Sequence, residues 1–156
     1  MSPSRSVQDP TGGSTVALLA SADALMRAAV EACRQHERVS RLLHQHCADG
    51  ELADAVALCE LSSAHLGARM GDYEAAAATG RSACDETVWH TTNTLWHASR
   101  EYHRRRQSGD AASLRLGKHT PGTMGELHLE YELAASAVLA LRQAIASYRK
   151  LRPDAE

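Results

Sequence analysis

Residues 15–48 read TVALLASADALMRAAVEACRQHERVSRLLHQHCA. Within them Leu18, Ala22, Leu25, Ala29, Cys33, His36, Ser40, Leu43 and Cys47 recur at steps of three and four. That spacing draws a stripe along one face of an α-helix, whereas the side chains of a strand alternate. The stretch contains neither proline nor glycine, and alanine is its commonest residue. Local propensity therefore agrees with the pattern. Asp49-Gly50 supplies a glycine stop at its end. A helix of this length spans about 50 Å at ~1.5 Å per residue, so it needs other long helices to cover its stripe.

Three further segments meet that need. A second helix is expected over residues 51–70, with Leu52, Ala55, Cys59, Ser62 and Leu66 inward and Gly71 as its end. Asp72 is read as the N-cap of a third helix that reaches Gln107, with Gly80 inside it as a place to bend. Residues 109–122 read as a loop by composition. Thr123 and Glu126 form a capping box for the last helix, which runs to Leu151 ahead of Pro153. Its stripe is Met124, Leu127, Tyr131, Ala134, Val138, Leu141, Ile145 and Tyr148. The expected fold is all-α, an antiparallel four-helix bundle, with one domain over residues 14–152. Residues 1–13, polar and rich in Ser, Pro and Gly, are expected to be a disordered lead-in.

Composition narrows the function. The chain has 156 residues, no Phe, 4% aromatics and a formal net charge of −2. A nucleic-acid binder usually carries a basic excess, so nucleic acid is disfavoured as a partner. No run is long and apolar enough to span a membrane, and no signal peptide is evident. A cytoplasmic protein with reduced cysteines is the expectation. Lysine occurs only at 118 and 150 among many arginines and alanines, a composition typical of a GC-rich bacterial genome.

The third helix carries VWHTTNTLWHASREYHRRR, residues 88–106. Val88, Leu95 and Tyr102 form its seam, with Cys84 and Ala98 beside it. Trp89, Trp96 and His103 form the adjoining strip, and His90 and His97 lie on the outer face. Glu86 stands four before His90 and Glu101 four after His97, acid–imidazole pairs suited to a wet surface. The two indoles either cap the core or centre an interface with another chain, a second copy or a different protein, and Arg104 extends that strip.

A second constellation mixes thiols and imidazoles. Cys33, His36, His44 and Cys47 share the first helix, and Cys59 and Cys84 sit on inward faces of the next two. Such donors can hold Zn or Cu. Against that, no C-x-x-C occurs, the two pairs on the first helix lie about 16 Å apart, and free cysteine commonly serves as a small buried hydrophobe. His128 and Glu132 make another i,i+4 pair on the last helix, read as a polar face.

Phosphate loops, a nucleophile elbow and HExxH are absent. The leading expectation is a non-enzymatic interaction or regulatory protein acting through Trp89, Trp96, His103 and Arg104, with no cofactor. The alternative is a Zn- or Cu-binding bundle using the cysteines and histidines. An enzyme with a pocket between helices and no linear motif comes third.

Overall fold

The computed structural model describes residues 10–45, 49–116 and 123–155. Helices α1 (Pro10–His44), α2 (Asp49–Gly80) and α3 (Glu86–Leu116) precede α4 (Thr123–Leu133) and α5 (Ala135–Leu151), with no strand among the described residues. Cross-contacts fix an antiparallel course. Gly80 of α2 meets Ser14 and Leu18 of α1, while Gly67 meets His103 of α3. Tyr73 reaches Thr92, and Asp23 reaches Tyr148 and Arg152. The result is a four-helix bundle whose fourth arm is split into α4 and α5.

The stripes on α2 and on the last arm are buried as expected, from Leu52 to Leu66 and from Leu127 to Tyr148. The α1 stripe turns at its end. Val39 and Leu42 are buried there, whereas Ser40 and Leu43 are only half-buried. The turn brings α1 onto Leu127 and Tyr131 of α4 and onto the first half of α2.

Several boundaries differ from the sequence reading. Helix α1 starts at Pro10, ahead of Thr15; proline suits a first helical turn because its missing N–H has no partner there anyway. Gly71 does not end a helix. Helix α2 runs through it to Gly80, because Met70 and Tyr73 stay seated in the core and the Tyr73 hydroxyl donates to Thr92 Oγ1 at 3.0 Å. An interior glycine costs about 1 kcal/mol, less than burying a tyrosine-sized side chain gains. Asp72, instead of capping, pairs with Arg69 at 3.3 Å. Residues 109–116 are helical, since the alanines and leucines after Gly109 favour extending α3. Residues 117–122 of the expected loop and 1–9 of the expected lead-in lie outside the described residues.

The last arm breaks at a definite place. Arg105 Nη1 donates to the Leu133 carbonyl at 2.6 Å and to Ser136 Oγ at 3.0 Å. A side chain that captures a ladder carbonyl bends a helix there.

Two apolar cores result. The larger joins α1, α2, α3 and α5 around Leu25, Leu66, Leu95 and Leu141. The smaller joins the end of α1, the start of α2 and α4 around Val39, Leu52, Cys59 and Leu127. Near the smaller core lies a buried polar layer.

Candidate functional site

The polar layer draws on four helices. His36 of α1 is buried, its ring stacked on Tyr131 of α4 at 4.8 Å and edge-on to Tyr102 of α3 at 5.6 Å. The Tyr102 hydroxyl lies 3.4 Å from His36 Nδ1 and 3.9 Å from Cys59 Sγ of α2. Arg106 is also buried, its guanidinium 4.2 Å from the Tyr131 ring centre. This is a cation–π contact in a site removed from water.

Burial in this layer keeps the His36 ring and the Tyr102 and Tyr131 hydroxyls neutral. Desolvation, helped by the Arg106 charge, pushes His36 down to about 4, although the Tyr131 backbone and Glu37 pull it back. Desolvation and the Cys59 thiol hold the hydroxyls of Tyr102 and Tyr131 far above the usual phenol range. Deeper in the larger core, burial pushes the Cys33 thiol up to about 11. A buried, protonated thiol packs as a small hydrophobe.

Among the described residues, the cysteines and histidines expected to face inward are not gathered into one donor set. Cys33 packs in the larger core, Cys59 in the smaller one, and Cys84 is half-buried beside the larger core, its Sγ 3.6 Å from the Arg81 carbonyl. His44 does not share their inward face but is exposed at the last residue of α1, while Cys47 lies outside the described residues. The reason is geometric: Cys33, Cys59 and Cys84 occupy different layers of long helices, and His36 shares a layer with Cys59 alone of the three.

His44 finds other company. His44, His128 and Glu132 place three ligand atoms within 4.8 Å of one another, the one such grouping among the described residues. Donors about 2.0–2.2 Å from one ion stand at most about 4 Å apart, so closure needs a shift of roughly 1 Å by surface side chains. His44 Nδ1 sits 2.7 Å from the Ser40 carbonyl, which can only accept. Nδ1 thus carries the proton and Nε2 keeps its lone pair for a ligand, the orientation that second partners impose on metal-binding histidines. His128 Nδ1 lies 3.3 Å from Glu132 Oε1 one turn along α4. The imidazole rings of His44 and His128 are 4.7 Å apart.

No family model, curated protein or solved structure matches this chain.

The α3 strip is engaged within the chain. Trp89 and Trp96 are half-buried against the larger core. Trp96 Nε1 donates to Glu74 Oε1 of α2 at 3.1 Å. Arg81 lies over Trp89 at 5.2 Å and Arg100 over Trp96 at 5.3 Å. His103 faces Gly67 of α2. His90 and His97 are exposed, as expected, but Glu101 turns from His97 to Arg104 and Arg105, each at 2.9 Å. Those two guanidiniums hold the Glu101 carboxyl down at about 2. Arginine's fork of N–H donors outcompetes an imidazole for a carboxylate.

Sequence reading missed two features. Arg106 closes a run of three arginines, yet Thr92, Leu95, Ser99, Tyr102 and Arg106 are the buried α3 seam. Their steps of three and four were available as a signal. The pairing of His44 with His128 left no linear trace.

Proposed function

We propose that the protein is a metal-binding helical bundle in which His44, His128 and Glu132 hold a divalent transition ion, Zn above all. The observation that carries this reading is the convergence of three donors from two helices, with the His44 ring already turned by the Ser40 carbonyl. Two imidazoles and a carboxylate suit Zn, and they also suit Cu(II), which binds such donors more tightly when available. Three protein ligands leave a fourth position open, as in sites that exchange their ion or bind a further ligand. Cys33, Cys59 and Cys84 are bystanders in this arrangement.

Isothermal titration of chelator-treated full-length protein with Zn tests it. One ion per chain is expected, with at least tenfold weaker binding in His44→Ala and in His128→Ala. Cys33→Ala with Cys59→Ala should bind as the parent does. Absence of binding, or binding lost with the cysteines and kept without the histidines, overturns the reading.

A further inference from the structure

The position of the ligands on α4 suggests what the ion controls. Helix α4 has only eleven residues, too few for a stable isolated helix in water. Its described anchors are Leu127 and Tyr131, both buried in the smaller core. Each metal-ligand candidate on α4 is the next residue after an anchor: His128 follows Leu127, and Glu132 follows Tyr131. Docking α4 therefore carries its ligand pair to His44, and undocking takes the pair away.

At the far end of α4 the ladder of the last arm is interrupted. The Leu133 carbonyl is held by Arg105 rather than by the continuing helix, and a shallow depression lined by Arg105, Glu130, Leu133 and Ala134 flanks the break. Beneath the arm, Tyr131 covers the polar layer, its ring lying between His36 and Arg106. Cys59 and Tyr102 are fully buried under that cover.

We infer that α4 is a metal-latched arm: a Zn ion bridging His44 to His128 and Glu132 closes it over the polar layer, and loss of the ion lets it swing at the Leu133–Ser136 break. The inference rests on the metal reading above. A ligand that binds only the docked form multiplies the closed-to-open ratio by one plus its concentration over Kd, so Zn at a hundredfold Kd suppresses opening about a hundredfold. Neither a new fold nor a partner is required, only the separation of ligands between two helices.

The experiment is hydrogen exchange on the full chain, read by mass spectrometry over residues 127–133, with Zn at about a hundred times Kd or with chelator. Site-resolved alkylation of Cys59 runs in parallel. Zn is expected to slow both by about two orders of magnitude, while Cys33, in the larger core, reacts equally slowly in both conditions. His44→Ala must remove both effects, which also excludes direct capture of Zn by the thiol. If titration shows Zn bound at the three residues yet exchange and Cys59 labelling change less than twofold, the latch is wrong and the metal site stands. If Zn does not bind, the metal reading falls and the latch falls with it.

Discussion

His36 concentrates the consequences of the polar layer in one side chain. It faces Glu37 on its own helix, Tyr102 and Arg106 from α3, and Tyr131 from α4, with Cys59 of α2 beyond the Tyr102 hydroxyl. Burial and the Arg106 charge place its folded pKa at about 4, below the ordinary 6.5. The unfolded chain therefore binds the extra proton first as pH falls. Stability from the neutral ring is complete above about pH 6.5 and is lost progressively down to about pH 4, roughly 3 kcal/mol in all. Urea unfolding at pH 7 and pH 4.5 checks this, and His36→Phe should flatten the slope between them. Asp23 acts in a different window. Burial raises its carboxyl, but hydrogen bonds from Arg152 and Tyr148 outweigh that and hold it below 3.8, so its contribution goes only at lower pH. A parent slope no steeper than that of His36→Phe would show that the ring is not held neutral. His36 was legible as inward-facing. Its neutrality was not, because that depends first on how deeply the layer is buried and then on Arg106, which charge alone would place outside.

Helix boundaries turn on where glycine meets a neighbour. At Gly71 an added Cβ would touch nothing within 4 Å, and the position faces solvent. At Gly80 it would lie 3.0 Å from the Ser14 carbonyl oxygen and 3.1 Å from Leu18 Cβ. Backbone cannot yield as a flexible side chain does, so α1 would have to move away from α2. Gly71→Ala is thus expected to stabilise the protein by about 0.5–1 kcal/mol through helix propensity. Gly80→Ala should fail to gain and should lower the thermal midpoint, since overpacking costs about 1–3 kcal/mol. Equal shifts in the two variants would refute the close α1–α2 approach. The same contrast shows what sequence can supply at this scale. Stripes from Leu52 to Leu66 and from Leu127 to Tyr148 were readable because periodicity is local. Which glycine ends a helix was not, since Tyr73 must first find Thr92 on another helix.

At the scale of the molecule, the all-α four-arm arrangement followed from four apolar helical stripes. The division into two cores did not, because it arises from the turn of the α1 stripe at Val39 and from the break that Arg105 makes in the last arm. Nor did the trio of His44, His128 and Glu132, which only the antiparallel course of the chain brings together. The division predicts that two leucines of equal burial behave differently. Leu127 is fully buried in the smaller core and Leu141 in the larger, and truncating a buried leucine to alanine costs about 2–5 kcal/mol. In Leu141→Ala the loss falls on the whole bundle: global stability drops and the slowest-exchanging amides of α1, α3 and α5 all speed up. In Leu127→Ala the arm can undock without dismantling the larger core, so the cost is capped by the docking energy of α4. Exchange over 127–133 should then accelerate while the slowest amides of α5 hold their rates, and Zn affinity should fall although no ligand has been touched. Hydrogen exchange on both variants decides it. Uniform acceleration in Leu127→Ala would mean that the two cores unfold as one unit, leaving no independent arm for an ion to hold.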